Sequence, residues 1–162
     1  MDRQILEAAR QALTDVTPMN HDCGRHCGAA CCQPDEEGHG GMFLFPGEEA
    51  LIDPALRVSD AMMGSIKVKM AECEGACRRD MRPLGCMIFP LTAETNADGS
   101  VYVRFDVRAR PLCPLMKNGL MGIRRDFRDA VSSALSLIAS DPEGRAFLTA
   151  WEDEEDKYVF KL

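Results

Sequence analysis

The chain has 162 residues, a length at which about two thirds of the unfolded surface is buried on folding, so it needs no metal merely because it is small. Hydrophobic residues at 46% and charged residues at 28% match ordinary globular usage and exclude a disordered or fibrous chain. The formal net charge of -7, sharpened by the run Glu152-Asp153-Glu154-Glu155-Asp156, repels a phosphate backbone, so nucleic acid is not an expected partner.

The start, Met1-Asp2-Arg3-Gln4-Ile5-Leu6-Glu7, places charges where an export signal carries an uninterrupted apolar stretch. The longest apolar runs, such as Met42-Phe43-Leu44-Phe45, fall short of the roughly 20 residues that cross a bilayer. The expectation is a soluble, cytoplasmic protein without a membrane partner. Eight cysteines in a reducing compartment then point to metal or redox chemistry, with disulfides as the alternative for an exported chain.

From Asp2 to Val16, Ile5, Leu6, Ala9, Ala12, Leu13 and Val16 recur at spacings of three and four, which predicts an amphipathic helix closed by Thr17-Pro18. The stretch from Asn20 to Gly41 holds four cysteines, all three histidines and five glycines without a sustained period. It is expected to be a metal-shaped loop with a short helical turn.

Met42 to Phe45 predicts a short buried strand, and Glu48 to Ile52 a short helical segment after the Pro46-Gly47 turn. Ile66, Val68 and Met70 alternate with polar neighbours and predict a half-buried strand leading into Cys73. Cys86 to Leu91 and Val101 to Val107 read as two more strands, joined by the hairpin chemistry of Asn96-Ala97-Asp98-Gly99. A helix is predicted from about Leu120 to Ala139, closed by Asp141-Pro142, with a shorter helix carrying Phe147, Leu148 and Trp151 beyond it.

The fold class is therefore α+β, a small antiparallel sheet with flanking helices and cysteine-rich metal-binding loops. One domain is expected over residues 1–162, with an N-terminal helix over 2–16, a cysteine-rich core over 20–114 and a C-terminal helical segment over 118–151. The arginines at Arg104, Arg108 and Arg110 and at Arg124 and Arg125 are expected to be solvated faces.

The first thiol cluster runs His21-Asp22-Cys23-Gly24-Arg25-His26-Cys27-Gly28-Ala29-Ala30-Cys31-Cys32. On a helical turn Cys23, Cys27 and Cys31 share a face, while Cys32 lies about 100° away from Cys31 and serves a different vertex or a different metal. Gly24 and Gly28 relax the backbone beside the sulfurs. The second cluster is Cys73 and Cys77, followed by Cys86, and the last thiol is Cys113 between Leu112 and Pro114.

A structural zinc takes four cysteine or histidine ligands, usually as close pairs from separate segments, and Cys23, Cys27, Cys31, Cys32, Cys73, Cys77, Cys86 and Cys113 have that logic. They suffice for two sites, or for one site and spare thiols. Four thiolates on one divalent zinc leave a formal charge of about -2, so Arg25, Arg78, Arg79 and Arg82 are candidate neutralising partners. His21, His26 and His39 flank the first cluster and are expected at the surface, since cysteine already saturates the need. A buried packing role remains open for Cys113.

The segment Cys23 to Cys32 resembles the C-x3-C-x2-C-C motif of the YkgJ-like proteins, zinc- or iron-chelating domains, with one extra residue between Cys27 and Cys31. Downstream, Cys73, Cys77, Arg82-Pro83 and Cys86-Met87-Ile88-Phe89-Pro90 resemble that family's later cysteines and its Arg-Pro-x-x-Cys-x-x-Phe/Tyr-Pro stretch. The resemblance covers roughly Cys23 to Cys113 and implies metal chelation rather than a particular reaction.

Zinc is the leading cofactor, with iron or an iron-sulfur cluster as the alternative, because four cysteines suit both. A thiol redox switch that releases metal on oxidation of Cys31, Cys32 or Cys77 is the third reading. No Ser-His-Asp set, nucleotide-binding glycine loop or His-Glu-x-x-His helix is present. Glu72 and Glu74 beside Cys73 are conceivable bases but are expected to be ordinary surface acids, so no enzymatic activity is assigned. A metal ion is the expected partner, and no protein partner is assigned.

Overall fold

A computed structural model of the chain describes residues 1–34, 40–73, 75, 77–96 and 98–159, the side chains of 158 and 159 excepted. It shows helices combined with small antiparallel sheets, an α+β architecture.

Helix α1 spans Arg3–Gln11, and the Asp2 carboxylate caps it by accepting the Gln4 N–H at 2.8 Å. It ends before Val16 because the chain tightens into i→i−3 bonds, with Leu13 N–H on Arg10 O and Thr14 N–H on Gln11 O. Helix α2, Gly24–Cys27, and a 3₁₀ turn, Ala30–Cys32, follow in the first cysteine segment. Strand β1, Gly41–Leu44, and a 3₁₀ turn, Glu48–Ala50, stand where the apolar run and the acidic turn place them.

Strands β2, Arg57–Met63, and β3, Ile66–Glu72, form a hairpin, and β3 is central in the order β1-β3-β2, antiparallel throughout. Strand β2 carries no clear signal in the sequence. It lies at the sheet edge with Val58 38% and Met62 55% exposed, so its apolar residues are not confined to one buried face.

The strand expected over Cys86 to Leu91 is corrected. Leu84–Ile88 is a short helix, α3, which starts after Pro83 and stops before Phe89-Pro90. A five-residue apolar run does not separate the two periods, and here the fixed φ of Pro83 and the acceptor it offers to the N–H groups of Cys86 and Met87 favour the helix.

Strand β4, Leu91–Thr95, pairs with β5, Val101–Phe105, in the expected hairpin. The Asn96 N–H donates to Ser100 O and the Gly99 N–H to Asn96 O; Ala97 lies outside the described residues. Val107 leaves the strand face for a 3₁₀ turn, Val107–Ala109, whose Arg108 N–H is capped by Asp106.

Pro114–Gly122 is a 3₁₀ stretch broken at Gly119, whose φ of 61° no ordinary side chain favours, so α4 begins at Arg125 rather than Leu120 and runs to Ser140. The final helix, α5, Pro142–Val159, is longer than expected and includes the acidic run. One face of that run turns inward, for Glu155 is 1% exposed.

The main core joins Leu6, Ala9 and Leu13 of the α1 region to Phe127, Val131, Ala134, Leu135 and Ile138 of α4, and to Phe147, Leu148 and Trp151 of α5. Each leucine, isoleucine, valine or phenylalanine among them contributes roughly 1.5–3 kcal/mol on burial. Phe45, Phe147 and Trp151 form an aromatic cluster with ring centroids 4.5–5.7 Å apart. This core also holds Leu84 and Ile88, and so fixes α3, which carries Cys86. Among the described residues no helix is long and apolar enough to cross a membrane.

Candidate metal centre

All eight cysteines are free, and they come from four separate segments. Cys23 and Cys27 bracket α2, with the Cys27 thiol donating to Cys23 O at 3.8 Å. The expected shared face does not continue to Cys31. Gly28 and Ala29 adopt left-handed conformations, φ 65° and 56°, and start Cys31 and Cys32 on a separate turn. Cys73 follows β3, Cys77 precedes the 3₁₀ turn Arg79–Met81, Cys86 lies in α3, and Cys113 precedes Pro114.

Two adjoining cavities gather them. The larger, about 590 Å³, is lined by Cys31, Cys32, Cys73, Cys77 and Cys86, with apolar walls that include Met42 and Phe89. The smaller, about 50 Å³, is lined by Cys23, Cys27, Cys31, Cys86 and Cys113, with His26 also on its wall. Arg82 lines both. The two expected cysteine clusters and Cys113 therefore meet at one place in the fold. Within it, no three His, Cys, Asp or Glu side chains among the described residues are set to hold an ion, so a metal would have to draw these thiols inward.

The thiols differ in environment. A hydrogen bond from Cys31 and the charge of Arg82 bring the Cys32 thiol down to about 6, against the burial that opposes them; Cys31, the donor of that pair, is pushed up. Burial raises Cys23, Cys77, Cys86 and Cys113, most strongly Cys86. At Cys113 the N–H groups of Leu115 and Met116 donate to sulfur and oppose the rise.

Of the four proposed neutralising arginines, Arg82 hydrogen-bonds Cys77 and favours the thiolates of Cys32, Cys77 and Cys86, and Arg79 does the same for Cys23. Arg79 also stands 3.7 Å from Asp22 and links the two cysteine segments. Arg78 pairs instead with Asp80, and Arg25 is exposed. His21 and His26 are exposed as expected, whereas His39 and Glu74 lie outside the described residues. Glu72 accepts from Arg57 and Ser59 on β2, which occupies it as a strand-pairing carboxylate.

Two buried carboxylates absent from the sequence expectation hold the second cluster in place. Glu48, 0% exposed, accepts from Arg10 Nη1 at 2.8 Å, from Phe45 N–H at 3.0 Å and from Leu84 N–H at 2.5 Å, and so anchors the start of α3. Asp53 accepts from Arg78 N–H at 3.0 Å while its own N–H donates to Met81 O at 2.8 Å, which pins the chain after Cys77. The Asp53-Pro54 turn signal was available for the second; nothing local marked Glu48.

Two of the arginines expected to be solvated behave otherwise. Arg104 and Arg108 side chains are 22% and 23% exposed, and both approach the buried Glu155, Arg104 Nη2 at 3.1 Å. Arg108 also pairs with Asp106 and stands 5.2 Å from the Trp151 ring centre. The cause is β5, which directs Arg104 toward α5. Arg110 and Arg125 are exposed as expected, and Arg124, half-buried, pairs with Asp126.

Compared with protein-family models, curated proteins and solved structures, the chain matches none of them. The likeness to YkgJ-like proteins rests on the motif residues alone.

Proposed function

We propose that this protein binds zinc through cysteine thiolates, as a structural or chelating centre in a reducing compartment such as the cytoplasm. The observation that carries the reading is the gathering of all eight thiols, from Cys23 to Cys113, around two adjoining cavities. Packing alone gives no reason for this, because seven are only half-buried and Cys31 is exposed. The motif likeness over Cys23–Cys32 and Arg82–Pro90 points the same way.

Bound zinc supplies a tetrahedral cross-link between chain segments. The protein's part is to present sulfur from helices α2 and α3, from a 3₁₀ turn and from the connecting segments that carry Cys73, Cys77 and Cys113, and to offset thiolate charge with Arg82 and Arg79. An iron-sulfur cluster is the second reading, favoured by one observation: the chamber of about 590 Å³ has more room than one ion requires.

Purification without oxygen, followed by elemental analysis and a visible spectrum, tests the proposal. Stoichiometric zinc in a colourless protein supports it. A brown protein containing iron and sulfide replaces it with the second reading, and a protein free of both metals removes both.

A further inference from the structure

Resting on the metal-binding reading, we propose that the thiols form two separate centres, one from Cys23, Cys27, Cys31 and Cys113 and one from Cys32, Cys73, Cys77 and Cys86, divided at the Cys31–Cys32 peptide bond.

The division follows from which thiols face which cavity. Cys23, Cys27 and Cys113 line only the smaller one, and Cys32, Cys73 and Cys77 only the larger. Two thiols, Cys31 and Cys86, stand at the wall between them and line both. Chain order assigns them. Cys31 follows Cys23 and Cys27 in the first segment and lines the smaller cavity with them, whereas Cys86 follows the Cys73–Cys77 loop and lines the larger cavity with Cys32, Cys73 and Cys77.

Backbone placement agrees. A Cβ built on Gly75, between Cys73 and Cys77, would stand 3.9 Å from Cys32 O, so the second loop lies against the Cys32 end of the first segment. Adjacent residues on a 3₁₀ turn of three residues per turn point about 120° apart, and Cys31 and Cys32 occupy such a turn. Their Cα–Cβ bonds therefore diverge, while the Cys31 thiol still reaches the Cys32 sulfur, so an ion bound on each side would take the place of that hydrogen bond.

Two four-thiolate zinc centres side by side carry about -4 in formal charge, which demands a cation between them. Arg82 occupies that position: it lines both cavities, and its Nε is buried without a hydrogen-bond partner. Among the described residues it pairs with no carboxylate, so its charge is left for the thiolates.

The full-length reduced protein, titrated with zinc without oxygen and followed by native mass spectrometry, tests the division. The expected endpoint is two zinc ions per chain. Cys113→Ser and Cys27→Ser are each expected to hold one, Cys73→Ser and Cys77→Ser likewise one, and Cys113→Ser combined with Cys73→Ser none. Circular dichroism selects the variants that remain folded, and the wild-type endpoint needs no variant. Saturation of the wild type at one ion, or loss of all zinc from every single variant, overturns the division and leaves the metal-binding reading standing. No zinc in the wild type overturns both.

Discussion

Glu48 accepts the backbone N–H of Leu84 at 2.5 Å, and Leu84 is the first residue of the helix that carries Cys86. A buried carboxylate therefore sets the position of the short helix that carries this thiol, with Arg10 of α1 as its counter-ion.

Glu48→Ala leaves the Arg10 guanidinium and the N–H groups of Phe45 and Leu84 buried without this acceptor. The expected loss of unfolding free energy is about 3–5 kcal/mol, measured by urea denaturation. A loss below about 1 kcal/mol contradicts the role given to this residue.

Burial first, and then the Asp106 charge, raise Glu155 to about 7 against the opposing pull of Arg108 and Arg104. The native state therefore binds this proton more tightly than the unfolded chain, whose glutamate titrates near 4.5. Between about pH 4.5 and pH 7 folding takes up a proton, so stability from this group falls as pH rises through that window. Glu155→Gln removes the dependence. Relative to wild type, the variant is expected to gain about 1–3 kcal/mol between pH 5 and pH 8 in parallel denaturation curves. Identical pH profiles for the two proteins rule out this titration.

Arg82 is expected to act through thiolate charge rather than packing. Arg82→Gln lowers zinc affinity about 10–100-fold in competition with a chromophoric chelator, and Arg82→Lys recovers part of the loss. Arg78→Gln serves as the control, because the Arg78 guanidinium pairs with Asp80. Equal effects at both positions argue against a specific role for Arg82.

Gly85 sits beside Cys86 with no room to spare: an added Cβ would meet Met42 Sδ at 2.5 Å and Trp151 Cη2 at 2.7 Å. Gly85→Ala is expected to cost about 1–3 kcal/mol of stability by overpacking and to shift α3 away from the larger cavity. A thermal midpoint equal to wild type contradicts this packing.

The parts of the fold legible in the sequence are those whose periodicity is written over many residues, such as α4 with Phe127, Val131, Ala134 and Ile138 along one stripe. Strand β3 and the β4–β5 hairpin belong with it, because alternation and turn chemistry are local signals. Edge strand β2 and helix α3 were illegible for opposite reasons, the one too exposed to show a buried face and the other too short to show a period.

At the candidate site, the thiols themselves stood out by their spacing, and so did Arg79 and Arg82. What spacing does not contain is the break at Gly28 and Ala29, which divides Cys27 from Cys31. Nor does it contain Glu48, whose bond to Leu84 joins residues far apart in sequence, or Glu155, one inward residue in an acidic run. These depend on how separate elements pack.

X-ray absorption at the zinc edge of the anaerobically purified protein tests the central claim most directly. The expected result is a first shell of sulfur alone at about 2.3 Å. A shell dominated by oxygen or nitrogen near 2.0 Å, or the absence of any bound zinc, contradicts it.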